Sequence, residues 1–418
     1  MNKTTCCIVG GGPAGMMTGL LLARAGVRVT VLEKHPDFLR DFRGDTVHPS
    51  TVRLLDELGL GADFARLPQS ALTRMQMYAG DRMVVAADLT KIPGRYRHIA
   101  MVPQWDFLDL LATAAATEPT FTLRMNATVV GLTHEAETVT GVRYRDTDGT
   151  EHTLRADLVI ACDGRDSVAR AAAGLRQRME DVPMDMWFFR VPKSPDDTGG
   201  GAVQARFTSG NSAVAIDRGD YYQTGYIIEK GDDARLRAGN DVDWLRARLT
   251  ELFGWPETAT AAIGSWDDVQ LLEVTVGMLE RWFVPGLLCI GDAAHTMSPV
   301  GGVGVNLAVQ DAVAAARILA PPLLDGRVGP SDLEKVQRRR MLPASFTQRS
   351  QRGEHDLLIA PALRGTLRTA PLPLRVVDAV PALAGLAAYV GGIGIRPEHA
   401  PDFARRPGGA AHRSTAAS

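Results

Sequence analysis

An unbroken apolar run at residues 4–9, TTCCIV, has the pattern of a strand buried on both faces, and it ends in glycine. A helical pattern follows to Ala25, and a second strand, VRVTVLE, closes at Glu33, so the chain opens with a β-α-β unit of about 30 residues. Residues 50–60 predict a helix with Ser50 or Thr51 as its N-cap, and MVPQ at 101–104 opens another that continues to residue 117. Alternation at period two then takes over in MNATVVGLTHE, VTGVRYRD and HTLRADLVIACDG, with Asp148-Gly149 as a hairpin turn. It returns between glycine-rich turns in WFFRV, GAVQARF, SAVAIDR and YYQTGYII, which predict a separate antiparallel sheet. A helix near 241–253, a strand near 269–276 and the strand LLCI before Gly291-Asp292 lead into a long alanine-rich helix to about Ala320. Residues 331–418 read as helical and then irregular, with a polar tail and no internal repeat anywhere.

Composition narrows the classes of function. The 418 residues suffice for two domains or one large domain with an insertion. A net charge of −2 gives no bulk attraction to nucleic acid or an anionic membrane, and 6% aromatics is too few for a single-strand stacking platform. Cys6, Cys7, Cys162 and Cys289 all lie in apolar runs, which argues against a disulfide framework and fits a reducing cytoplasm. No cluster of metal-ligand spacing occurs, and the N-terminus lacks a signal-peptide pattern. Residues 379–395, AVPALAGLAAYVGGIGI, are short and interrupted by proline and glycine, so they predict a buried helix and loop, with a membrane-touching or substrate-entry helix as the alternative.

Three motifs carry the chemistry. Gly10-Gly11-Gly12-Pro13-Ala14-Gly15 joins the first strand to the first helix. Gly10 permits the tight turn, Gly12 lets backbone approach a pyrophosphate, and Gly15 lets helix pack on strand. The helix N-terminus adds free N–H groups and partial positive charge. Glu33, 18 residues after Gly15, is placed to accept from a ribose diol and disfavours a 2′-phosphate there. In LVIACDGRDSVAR at 158–170, Asp163 suits a ligand hydroxyl, a phosphate loop or a helix N-cap, and Arg165 or Arg170 suits an anionic group. In GLLCIGDAAHTMSPVGGVGVNLAVQDA at 286–312, Asp292 suits a polyol, and glycines 301, 302 and 304 before a helix make an anion-binding nest. One fingerprint plus two distant Asp-containing turns imply one long ligand touched in three places, as FAD would be.

In order and spacing over roughly residues 5–320, these motifs resemble those of the flavoprotein monooxygenases related to para-hydroxybenzoate hydroxylase. The resemblance implies an α/β fold: a Rossmann-like FAD-binding domain, an inserted antiparallel β-sheet substrate domain and a helical C-terminal part. We expect the FAD domain at 1–72, 101–178 and 270–330, the substrate domain at 73–100 and 179–269, and a helical segment with tail at 331–418. It further implies that Gly10, Gly12, Gly15 and Glu33 hold the ADP half of FAD, with Ala14 and Lys34 also among the cofactor-binding residues. Arg43 would contact and gate the flavin, Gln104 the ribityl chain or phosphates, and Asp163 the pyrophosphate region. Asp292 would hold the ribityl or phosphate region, and Pro299, Gly302, Gly304, Val305 and Asn306 the pyrimidine edge. His48, with Asp45 in the same loop, suits a flavin or phenol contact, or an ordinary backbone-held histidine; Arg43 and His48 are the candidate catalytic residues. His295 reads as packing or capping, and Trp187, Phe188, Tyr221, Tyr222 and Tyr226 as sheet core more than pocket wall. The family's activity is oxygenation of a small aromatic or polyketide-like substrate through a C4a-hydroperoxyflavin, using O2 and a transiently bound NADPH or NADH. The chain lacks a WxWxIP motif, an evident halogenase lysine and a thioredoxin-like C-terminal domain. A monomer or homodimer without nucleic-acid or membrane partners is expected. A reductase of the geranylgeranyl-reductase type and a redox flavoprotein without oxygenase activity stay open as alternatives.

Overall fold

The residues that begin the chain form β1 (Asn2–Val9), α1 (Pro13–Arg24) and β2 (Val29–Leu32), and the two strands pair in parallel. Pro13 at the first helical position needs no N–H partner, which lets α1 start abruptly after the glycines. Met16, Met17, Leu20, Leu21 and Leu22 of α1 are all fully buried, because the helix is apolar on every side and covered on every side. A side chain of that size contributes roughly 1.5–3 kcal/mol when fully buried. The computed structural model describes residues 2–39, 46–194 and 202–406, and Arg43 and Asp45 lie outside them.

In chain order there follow α2 (Pro49–Glu57), β3 (Arg74–Ala79), β4 (Arg82–Asp88), α3 (Gln104–Ala116), β5 (Phe121–Arg124), β6 (Thr128–Glu135), β7 (Thr138–Arg145) and β8 (Glu151–Ala161). Next come β9 (Met184–Pro192), β10 (Val203–Thr208), β11 (Asn211–Asp217), β12 (Tyr221–Glu229), α4 (Val242–Phe253), β13 (Gln270–Leu272), β14 (Phe283–Val284) and β15 (Leu287–Cys289). The chain closes with α5 (Gly304–Leu324), α6 (Pro330–Glu354), α7 (Leu372–Ala379) and α8 (Pro381–Gly392).

An eight-stranded sheet runs β14-β15-β8-β1-β2-β5, with the β6–β7 hairpin paired onto β8. Its central pairs are parallel, and α1 lies against both α5 and α3. A seven-stranded sheet runs β13-β9-β12-β11-β10-β3-β4. The sheet takes β3 and β4 from 74–88 and its other strands from 184–272, and the junction, β10 on β3, is parallel, because the earlier segment enters alongside the later one and not as its hairpin. The expected boundary at 270 falls at the start of β13, an edge strand of this second sheet.

The second sheet separates two cores. Trp187, Phe189, Tyr222 and Tyr226 point to an outer core under α4, whereas Met186, Phe207 and Ile227 pack with Leu358, Ile359 and Ala362 from beyond α6. The expectation of sheet core therefore holds for Trp187, Tyr222 and Tyr226, but Phe188 has the opposite parity and looks inward.

Three local expectations are corrected. The N-cap of α2 is His48, because Pro49 occupies the first helical position, and Ser50 and Thr51 turn inward instead. The cap of the short helix after Asp163 is Ser167, whose side chain accepts from Arg170 N. The 379–395 stretch buries only one face: Ala384, Gly385 and Ala388 are covered while Leu386 and Tyr389 are exposed. Taken alone, Val300–Leu324 is long and apolar enough to cross a membrane, and it is mostly buried inside the protein.

Candidate active site

One cavity of about 1220 Å³ runs from the first glycine loop to the inner face of the second sheet. That exceeds the roughly 300–1,000 Å³ of a single small-molecule pocket. Gly10, Gly12, Ala14, Glu33, Lys34, Gln104, Asp163, Asp292, Pro299, Gly302, Gly304 and Val305 line it, so residues from four distant parts of the chain converge on one space.

Two glycines of the first loop serve the fold. A Cβ on Gly10, whose φ is +96°, would stand 2.6 Å from the Cys162 carbonyl oxygen, and one on Gly15 would stand 1.9 Å from the Gly10 carbonyl oxygen. Gly15 therefore packs helix on strand and does not line the cavity. Gly12 differs: its Cβ would meet nothing within 4 Å, because it faces the open space where a ligand phosphate can come against backbone.

Glu33 is buried at the end of β2. Its Oε2 accepts from Gly11 N at 2.7 Å, and its Oε1 accepts from His35 N at 3.1 Å and meets His35 Nδ1 at 2.6 Å. Burial alone would raise this carboxyl, but the hydrogen bonds from His35 and Gly11 more than offset it and hold it below the usual range. His35 lines the cavity and was not singled out by the sequence; its proximity to Glu33 was the available signal.

Asp163 accepts from Ser167 Oγ and from Ala169 N at 3.1 Å, and burial keeps its carboxyl above the usual range despite those bonds. Arg165 lines the cavity, whereas Arg170 donates to the carbonyls of Ala293 and Arg165 and so ties the Asp163 turn to the Asp292 turn. Among the described residues the Asp292 side chain has no hydrogen-bond partner, and it opens onto the cavity.

Behind Asp292 lies a buried charge chain that sequence reasoning missed. Asp311, fully buried in α5, accepts from Gly291 N at 3.1 Å, meets His295 Nε2 at 2.6 Å and accepts from Arg340 Nε at 2.8 Å. Arg340 is itself fully buried and lies 3.9 Å from Glu398, which also pairs with Arg317 and Arg339. His295 thus braces the turn, in keeping with its reading as a packing residue.

Two expected site residues face elsewhere. His48, 1% exposed, does not line the cavity: Nε2 meets the Gly302 carbonyl and Nδ1 the Gly391 carbonyl, both at 3.1 Å. Burial lowers its pKa, so it is a neutral strut between the glycine loop and α8. The Asn306 side chain is also turned away, its Oδ1 accepting from Ser50 at 3.0 Å and from Thr51. Thr46 instead reaches the cavity and donates to the Gly302 carbonyl. All four cysteines are buried and unpaired, and burial pushes every thiol up, Cys7 to about 12, so none is a ready nucleophile.

The arrangement fits FAD. Open space beside Gly12, a ribose-side carboxylate and a second carboxylate without a partner are the recognition elements of a dinucleotide with a polyol chain. Comparison with known proteins agrees. Residues 3–349 match the family described as FAD binding domain. The chain is 34% identical over 343 residues to 6-methylpretetramide 4-monooxygenase of Streptomyces rimosus, covering 81% of this chain and 80% of that one. The anhydrotetracycline hydroxylase of Streptomyces rimosus superposes with a TM-score of 0.74 at 25% identity, over 95% of this chain and 77% of that one. A Diels-Alderase of pyrroindomycin biosynthesis superposes with a TM-score of 0.76 at 22% identity, over 96% and 82% respectively, and shares the fold.

Proposed function

The chain belongs to the flavin-dependent monooxygenases built on the FAD-binding domain, and from that premise we propose that it hydroxylates an aromatic or polyketide-like substrate held against the second sheet. The observation that carries this reading is the single cavity. Its polar end is built for a dinucleotide, and its other end is walled by Phe188, Ile216, Leu272 and Met297, which suit a flat apolar ring system.

When bound, FAD supplies the redox chemistry: it accepts a hydride from NADPH or NADH and activates O2. The chain's own residues would bind and orient. Backbone N–H groups at the N-terminus of α1 would hold the pyrophosphate across Gly12, and Glu33 would accept from the adenosine ribose. Lys34 and Gln104 would hold the phosphates and the ribityl chain, Asp163 the pyrophosphate region, and Asp292 a ribityl hydroxyl. The loop Pro299–Val305 and the N-terminus of α5 would hold the pyrimidine edge, where a helix dipole favours negative charge by up to about 2 kcal/mol. The apolar wall excludes water from the reacting face. We assign Arg43 to gating of the flavin, and the buried, unpaired thiols fit a reducing compartment.

The test is NAD(P)H oxidation by the FAD-loaded protein with a panel of phenols and hydroxylated fused-ring compounds. A sharp rise with one chemical series, coupled to a hydroxylated product, is expected. Fast oxidation that no substrate changes and that yields only peroxide would refute the reading.

A further inference from the structure

The cavity wall on the second sheet carries one polar side chain whose donor is fixed and unused. Gln223 of β12 is 8% exposed and lines the cavity. Its Oε1 accepts from Nε and Nη2 of Arg218, both at 3.3 Å. A guanidinium can only donate, so the atom facing it must be the carbonyl oxygen, and the amide nitrogen points the other way. Among the described residues the Nε2 of Gln223 has no hydrogen-bond partner. Burying such a donor costs free energy unless a ligand satisfies it.

Its surroundings define what it meets. Ile216 stands directly opposite Gln223 on β11, and two residues along the same face is Gly225, opposite Phe188 on β9. A Cβ on Gly225 would lie 3.1 Å from the Phe188 ring and 2.6 Å from the Met186 methyl, so glycine here lets that ring lie close against the strand. The wall therefore pairs an aromatic platform with a rigid donor one row away.

We propose that Gln223 is a specificity-determining residue whose amide donates to a carbonyl oxygen of a fused-ring hydroxyaryl ketone lying on Phe188. This rests on the monooxygenase reading and adds the functional group selected. Arg218 is a positioning residue, since it holds the amide in one orientation.

The probes are a hydroxytetralone and the matching hydroxytetralin, which lacks the ketone, titrated into oxidised FAD-loaded enzyme by the flavin difference spectrum without NAD(P)H. Wild type should bind the ketone roughly ten- to a hundredfold more tightly, the range one satisfied buried donor provides. Gln223→Met removes donor and acceptor, while Gln223→Glu keeps the acceptor for Arg218 and puts a carboxylate oxygen in place of the donor. Both should lose the preference while retaining flavin content and Tm, and Arg218→Met should weaken it. Equal binding of both probes by wild type, a preference that survives in Gln223→Glu, or no binding of either probe would overturn the proposal. Substrate-stimulated hydroxylation of another compound by the same preparation would then leave the broader reading standing.

Discussion

Gly12 and Gly15, three residues apart at the start of α1, predict opposite failures. A side chain on Gly15 meets backbone at 1.9 Å, so Gly15→Val should lower Tm or abolish folding, whereas Gly12 faces open space, so Gly12→Val should fold and lose FAD. Thermal melts together with the flavin-to-protein ratio distinguish them, and a flavin-replete Gly12→Val would refute the assignment of that loop. Asp292→Ala should weaken FAD by about 1–3 kcal/mol, the scale of one lost polar contact, read as a higher dissociation constant. That the glycines, Glu33 and Asp292 sit at a turn, a strand end and a loop was legible, because neighbours in sequence fix those positions. For His48 the sequence left a flavin contact and a backbone-held histidine both open, and for Asn306 it offered no partner, because what they touch, Gly391 and Ser50, lies hundreds of residues away. Gln223 was invisible because parity along YYQTGYII tells which residues share a face but not which face meets the cavity.

Helices α5 and α6 hold the cofactor turn from behind. Arg340→Met would take the guanidinium from the buried Asp311 carboxylate, leaving it only His295 and Gly291 N, at a cost of up to about 3–5 kcal/mol, and should loosen FAD through Gly291. Chemical denaturation and FAD titration measure the two effects, and unchanged values in both would contradict the bracing role. Asp311 and His48 are two of the groups that make stability depend on pH. Burial alone would raise Asp311, but His295 and Arg340 bring it below the usual range, so its stability is present above a pH of about 3.9 and is lost below that, through its lower folded value. His48 is also depressed, here by burial, so the unfolded chain takes its proton first and stability falls as pH drops below about 6.5. Tm should be flat above pH 7 and decline from pH 6.5, with a shallower decline in His48→Gln; identical profiles would exclude His48 as the cause. The elements themselves were legible where periodicity is strong, as in β1, α1 and α5. The face that α8 leaves exposed was not, because apolar composition marks burial without saying how much of a helix its neighbours cover.

Across the molecule, both sheets and the helical C-terminal part were readable in outline, while their meeting at one cavity depends on β9, β11, β12 and β13, which lie next to one another only in the folded sheet. The central claim is that this shared cavity serves oxygen transfer. The most direct measurement is a turnover of the FAD-loaded protein with NAD(P)H, the stimulating substrate and isotopically labelled O2, followed by mass spectrometry of the product. The account predicts one labelled oxygen per product, with one NAD(P)H consumed for each. A product that gains two hydrogens and no label would contradict it and move the chain to flavin reductases.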